Sequence, residues 1–346
     1  METAVTTAAT APEAWEAHDV TLPEVCRALA RLRRQTDGPP MTLASILTLV
    51  AFAPRAEDVA EIEGVIRGLA DHQPSRAVVV TAGRGGAPGI DARVATNRRP
   101  VGDDRCVWME LITLTLRGET REGIASAVVP LLRYDLPTFL WWPAAPDGNP
   151  DSPLVDLAGV ADRLITEAGR GGDARRAVRR LAGWTRGAGP AATDLAWAAI
   201  TPWRQLLVQL LDPPSLGRLR DRGGIAAVRH PGAEPTVGAL LFAGWLVDSV
   251  GERLAVSLEP GGGAATGGLA AVRIALSAGR TMKIEAAPDQ EAADVRVTEP
   301  DGRVRRRMLA LPHRTRVNLL AGELEVQRPD DPFERAVPHA VRLAGA

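Results

Sequence analysis

The chain is short of the residues that usually announce a reaction. Its 346 residues include two cysteines, Cys26 and Cys106, and neither has a companion Cys or His at ligand spacing. Neither a disulfide framework nor a zinc site is suggested, and reduced, cytosolic thiols are the simplest reading. The histidines His18, His72, His230, His313 and His339 are scattered, with none three to five residues from another His or Cys, so no metal site is expected. No serine sits in a Gly-x-Ser-x-Gly elbow. Aromatic residues make up 4% of the chain, and Lys283 is the one lysine among 41 basic residues. Against 42 acidic residues this leaves a formal net charge of -1, which gives no electrostatic footprint for nucleic acid. The Arg303 to Arg307 cluster reads as a solvated strand face. The longest apolar stretch, Val237 to Val247, is too short to span a bilayer. An N-terminus carrying Glu2, Glu13 and Glu16, with no basic segment ahead of an apolar core, is not that of a secretory leader. The expectation is a cytoplasmic protein without nucleic-acid or membrane partners and without a cofactor.

What the chain does have is length and apolar content, 45%, enough for two domains with separate cores. Residues 1–18 lack apolar periodicity and read as a disordered tail. From Thr21 a capped amphipathic helix begins, ending before Gly38-Pro39-Pro40. Apolar runs then alternate with helical periodicity. Strands are expected at 43–52, 76–81, 106–116, 136–142 and 164–166, with helices at 57–69, 120–132, 154–161 and 173–184. That alternation implies an α/β domain, residues 19–188, with a largely parallel three-layer sheet. The small-residue stretch 187–192 marks a boundary. Beyond it a helix over 194–211, interrupted at Pro202, precedes strands at 225–229, 254–258, 272–277, 282–286, 295–298 and 304–309. A helix at 237–250 falls among them, and two helices, 315–326 and 332–343, follow. Residues 189–346 therefore read as an α+β domain with antiparallel strands.

The most informative stretch is Leu136-Pro137-Thr138-Phe139-Leu140-Trp141-Trp142-Pro143, an apolar run bounded by turn residues and so a buried strand. In an open α/β sheet ligands and partners gather outside the carboxyl ends of the strands, which gives Trp141 and Trp142 either a contact role or a place in the core. In the order Leu136–Pro143, Pro153-Leu154-Val155-Asp156-Leu157 and Ala161-Asp162-Arg163-Leu164-Ile165, the chain resembles the glucose-6-phosphate dehydrogenase assembly protein (OpcA) family. Further segments fit: His72 to Val80, Asp194-Leu195-Ala196-Trp197 leading into Thr201-Pro202-Trp203-Arg204, and Leu319 to Leu324 near Asp331-Pro332-Phe333-Glu334. The resemblance implies a non-catalytic protein that binds glucose-6-phosphate dehydrogenase, assists its assembly and activates it allosterically. On that reading Trp141, Trp142, Asp162, Arg163, Trp197, Trp203 and Arg204 are partner-contact candidates, since aromatic and Arg groupings form interface hot spots. An intradomain ion pair for Asp162-Arg163 and a core stripe for Trp197 and Trp203 are the competing readings.

Two segments could meet an anion. Ser75 and Arg76 stand at a helix-to-strand junction fixed by Pro74, where a guanidinium could grip a phosphate. Gly171 and Gly172, within Gly169-Arg170-Gly171-Gly172, follow a strand and open a helix, the context of a dinucleotide-binding turn. No acidic residue follows at the ribose-binding distance. Gly83-Arg84-Gly85-Gly86 lacks the Lys-Ser or Lys-Thr of a P-loop and reads as a surface loop. The alternative to an assembly factor is thus a nucleotide- or sugar-phosphate-binding enzyme or metabolite sensor using the crevice at the strand ends.

Overall fold

The computed structural model of the chain describes residues 13–34, 45–70, 73–83, 87–101, 105–118, 123–147, 149–187, 189–211, 213–276, 279–288 and 291–345. The Gly-rich segment 84–86, His72 and the turn at 38–40 lie outside them. The chain divides into two compact units, residues 1–142 with 149–164, and residues 143–148 with 165–346.

The strands β1 (Glu13–Ala17), β2 (Leu47–Ala53), β3 (Ser75–Ala82), β4 (Gly89–Val101), β5 (Arg105–Arg117), β6 (Thr138–Trp142), β7 (Arg163–Thr166) and β8 (Ala191–Asp194) form a mostly parallel sheet in the order β1-β4-β5-β3-β2-β6-β7-β8. β2 pairs in parallel with β3 and β6, and β3 with β5. All of β2 and β6, and β3 up to Thr81, are buried, as strands covered on both faces must be. β4 is not among the strands expected from the sequence. It buries Ala92, Val94 and Thr96 between Asp91, Arg93 and Ala95, so its alternation lacks the continuous apolar run of the central strands. It pairs antiparallel with β5, from Gly89 opposite Arg117 to Val101 opposite Arg105.

β1 corrects the expectation of a disordered tail as far as residues 13–17. Trp15 lies opposite Val94 in an antiparallel pair with β4, and the ladder supplies backbone partners that composition alone does not reveal. The helices α1 (Leu22–Arg34), α2 (Val59–Leu69), α3 (Ile124–Val128) and α4 (Pro153–Ala158) accompany this sheet. Thr21 starts α1 together with Glu24, whose carboxylate accepts from Thr21 N at 2.8 Å, half of a capping box. The long helix expected at 120–132 shortens to α3 and a 3-10 turn over Val129–Leu131. Pro130 has no N–H to continue the helix.

In the second unit α5 (Ala174–Trp184) packs on two later helices, α9 (Val237–Val250) and α11 (Asp331–Gly345). This is why the unit begins before the small-residue stretch at 187–192. The helix expected over 194–211 is two, α6 (Leu195–Ala199) and α7 (Thr201–Leu210), separated at Ile200 with Pro202 in the first turn of α7, where its missing N–H is harmless. A further helix, α8 (Pro213–Arg222), is not among those expected from the sequence, and α10 (Arg316–Leu324) precedes α11. A second sheet has the order β10 (Leu254–Gly261), β9 (Gly224–Pro231), β11 (Ala271–Ala275), β12 (Thr281–Ala286), β13 (Ala292–Thr298), β14 (Val304–Ala310). β9 and β10 are parallel and the other neighbours antiparallel.

Ten of the fourteen residues of α9 are buried, so a helix that is apolar all round is the centre of this unit's core. Ala226, Val228, Val272, Ile274, Met282, Ile284, Ala293 and Val295 of the sheet belong to the same core. The alternate residues point away from it. Gly244 lets α11 approach α9 closely: a Cβ there would lie 2.4 Å from Ala336 O and 2.7 Å from Ala340 N. Among the described residues no helix is long and apolar enough to cross a membrane.

Candidate functional site

The paired tryptophans end β6. Trp141 is 0% exposed and Trp142 5%; Trp142 lies flat on Phe52 of β2, ring centroids 4.7 Å apart and planes within 4°. Both rings are core, and a partner could reach neither without rearrangement. The Trp142 indole N–H, also buried, has no hydrogen-bond partner among the described residues. Asp162 is exposed, and its carboxylate accepts from Thr138 N at 2.7 Å. Thr138 O in turn accepts from Asp162 N at 2.8 Å, so this aspartate ties its loop to the start of β6. Arg163 is buried beside it.

The anion candidates are already engaged. Arg76 donates from Nε to Glu110 Oε2 at 2.7 Å and from a terminal nitrogen to Leu131 O at 2.9 Å. Arg33 of α1 also donates to Glu110, at 2.8 Å through its NH2 group. Glu110 is 1% exposed, and a carboxylate so deeply placed demands cations. An incoming phosphate would have to displace it. Ser75 is buried, with its hydroxyl unpartnered among the described residues. Gly171 and Gly172 are exposed between a 3-10 turn and α5. The N-terminus of α5 is capped by Asp173, whose carboxylate accepts from Arg176 N at 2.8 Å, and that acid stands where a pyrophosphate would bind.

A second buried carboxylate, Glu63 of α2, accepts from Arg93, from Thr113 Oγ1 at 2.5 Å and from Arg67 at 3.2 Å. Burial alone would raise its pKa, but the hydrogen bonds from Arg93 and Thr113 outweigh it and hold the group below the usual range. The sequence signal was available: a glutamate beside Ile62 and Ile66 on the apolar face of a helix.

In the second unit Trp197 and Trp203 are both fully buried. Trp197 Nε1 donates to Asp330 Oδ2 at 2.8 Å, and Trp203 Nε1 to Thr266 O at 2.9 Å. Arg204 lies over the Trp197 ring, 3.6 Å from its centroid, a cation–π stack. Burial pushes its guanidinium down to about 10, against the pull of Asp330 and Glu323. Asp330 also accepts from Phe333 N at 3.0 Å, so one carboxylate caps α11 and holds α6. Asp194, fully buried, takes Thr166 Oγ1 at 2.7 Å, Ala168 N at 2.7 Å and Ala196 N at 2.8 Å. Burial nonetheless raises its pKa to about 6, and neighbouring Glu167 adds to the rise. These are hot-spot residue types used to assemble a core.

The second sheet turns its other face to solvent. There Arg229 donates to Glu285, Lys283 lies 2.7 Å from Glu285, and Asp294 binds Arg296 at 2.5 Å and Arg306 at 2.9 Å. A cleft of about 310 Å³ opens on this face, lined by Arg229, Glu285, Asp294, Arg306 and Met308 and walled by Gly262 to Ala264. The sequence marks only Arg306 of these as part of a charged strand face; the other charged residues lie far apart in the chain and converge through strand register. Among the described residues no group of three or more His, Cys, Asp or Glu could hold a metal ion.

Comparison with known proteins gives one consistent result. Residues 67–183 match the family model described as the glucose-6-phosphate dehydrogenase subunit N-terminal domain, and residues 190–337 the model of its C-terminal domain. A "Putative OxPP cycle protein OpcA" of Nostoc punctiforme is 26% identical over 180 residues, covering 51% of this chain and 38% of that protein. The protein of the same description from Synechocystis is 22% identical over 192 residues, covering 54% of this chain and 39% of that protein. The matched stretch thus spans well under half the length of these relatives. The Gal80p transcriptional regulator of Kluyveromyces lactis aligns over 88% of this chain and 92% of its own, with a TM-score of 0.38 and 10% identity, too loose a likeness to build on.

Proposed function

The chain belongs to the OpcA family, whose two domain models it matches in order, and from that membership we propose that it is a non-catalytic assembly partner of glucose-6-phosphate dehydrogenase in the oxidative pentose phosphate cycle. The observation that carries the reading is the consecutive match of both domains described as parts of a dehydrogenase subunit. The relatives described as OxPP cycle proteins support the same metabolic setting. The chain activates by binding the competent arrangement of the dehydrogenase better than other arrangements, which is all that allosteric activation requires.

Of the seven contact candidates, Asp162 is the exposed one and Arg204 is partly so. The other five hold the units that present the contact surface. The engagement of Arg76 by Glu110 and the Asp173 cap on α5 weigh against a free phosphate-binding crevice. To test the proposal, the purified chain is mixed with the cognate dehydrogenase and followed by size-exclusion chromatography and initial rates. Co-elution with an increased rate is expected; neither a complex nor a rate change would discard it. Calorimetry of the chain alone with NADP and with glucose 6-phosphate should give negligible heat, and strong binding would favour the sensor or enzyme reading instead.

A further inference from the structure

The solvent face of the second sheet carries a row of like charges that outnumbers the carboxylates beside it. Strand register places Arg273 of β11 directly opposite Lys283 of β12, Lys283 opposite Arg296 of β13, and Arg296 opposite Arg306 of β14. Four cations therefore stand side by side on four consecutive strands, a row about 14 Å long at the usual strand spacing. Like charges directly opposite one another destabilise a sheet. The next row along the strands contains Glu259, Glu285 and Asp294, with Arg229 among them. Five cations thus share three carboxylates on this face, and Glu285 and Asp294 each serve two. The row on the other side, Ala275, Thr281, Thr298 and Val304, is neutral. The side chains of Arg273, Arg296 and Arg306 keep 62%, 44% and 63% exposure.

Charge on an edge strand discourages unwanted pairing, and that would account for the arginines of β14. It does not account for Arg273, Lys283 and Arg296, which lie on interior strands. We propose that this cation row is a docking surface for an acidic helix of a partner protein, one carboxylate per turn laid across β11 to β14. Carboxylates at i, i+4, i+7 and i+11 follow the helix at about 5.4 Å per turn, close to the spacing of the strands, and the long Arg side chains absorb the remainder. The formal net charge of -1 leaves no wider positive field of the kind a nucleic acid requires, which favours a protein. The cleft beside Met308 receives a neighbouring side chain of the helix. The dehydrogenase as the source of that helix rests on the function proposed above.

Two charge-reversed double variants separate the possibilities, each checked for wild-type circular dichroism and unfolding midpoint. Arg273→Glu with Arg296→Glu breaks the row; Arg305→Glu with Arg307→Glu makes the same charge change at exposed positions on the opposite face of β14. Binding is measured at two salt concentrations to the cognate dehydrogenase, to an alanine-rich helical peptide with glutamates at i, i+4, i+7 and i+11, and to a 20-base-pair DNA duplex. The row variant should lose about tenfold or more in affinity for dehydrogenase and peptide and show a flatter salt dependence, with the control variant changing less than about threefold. Dehydrogenase binding that survives row reversal, or falls equally in both variants, overturns the docking surface and leaves the assembly function standing. Row-dependent binding of the peptide without any binding of the dehydrogenase leaves the surface and overturns the assembly function. Failure of the wild-type chain to bind either probe, or row-dependent binding of DNA tighter than of the peptide, overturns the acidic-helix proposal.

Discussion

Replacing Gly244 by alanine should destabilise the second unit, although alanine is the better helix former. The substitution gains about 1 kcal/mol of helix propensity and about 0.8 kcal/mol from burying a methyl group. Against this, the new Cβ meets Ala336 O at 2.4 Å, Ala340 N at 2.7 Å and Ala340 Cβ at 3.0 Å. Two of the three are backbone atoms of α11, which cannot swing aside as a side-chain tip can. Ordinary contact requires α11 to retreat by about 1 Å from a core packed like a crystal. Overpacking of this kind costs about 1–3 kcal/mol net, occasionally more. Gly64 in α2 is the comparison, because a Cβ there meets nothing within 4 Å, and Gly64→Ala should stabilise by about 0.5–1 kcal/mol. Urea unfolding followed by tryptophan fluorescence, with unchanged m values, should separate the two variants by about 2–4 kcal/mol. A Gly244→Ala protein as stable as the Gly64→Ala protein would refute the close-approach reasoning.

Glu110→Ala strands Arg76 without its buried counter-charge and should cost about 3–5 kcal/mol; adding Arg76→Met should restore part of it, and urea midpoints that fall further in the double variant would contradict this. At Trp142, replacement by Phe keeps the stack on Phe52 and removes a buried donor that has no partner among the described residues, so stability should change by less than about 1 kcal/mol. Trp142→Ala should lose about 3–5 kcal/mol, and equal losses for the two variants would show that the indole N–H matters. Asp194 titrates at about 6 when folded, against 3.8 for an unperturbed aspartate. The folded chain therefore holds this proton more tightly than the unfolded one, and the resulting stability is complete below about pH 4 and lost as pH rises to 6. The advantage of the wild type over Asp194→Asn should shrink by about 2 kcal/mol between pH 4 and pH 7; a pH-independent difference argues against a buried, raised aspartate.

The central strands were legible because β2, β3 and β6 are largely apolar runs, and the break, at Ile200, followed from the inability of Pro202 to continue a preceding helix. β4 and β1 were not, since a strand that alternates charge with small residues acquires its identity from the neighbour it pairs with. The tryptophans were conspicuous for their size, yet size marked core at Trp141, Trp197 and Trp203. Their surface counterpart was hidden: Arg273, Lys283, Arg296 and Arg306 lie ten or more residues apart, and nothing short of strand register brings them into line. Glu63 and Glu110 each interrupt an apolar face, and each has more than one cationic neighbour.

The hold of α11 on α9 has an implication for biosynthesis. Phe333, Ala336, Val337 and Ala340 complete the second unit's interior, and α9 cannot shed water from that flank until residues 331–345 have been translated and delivered. Until then the emerging polypeptide carries a greasy, half-dressed helix, so chaperone capture and proteolytic nicking should concentrate on nascent intermediates ending short of residue 331.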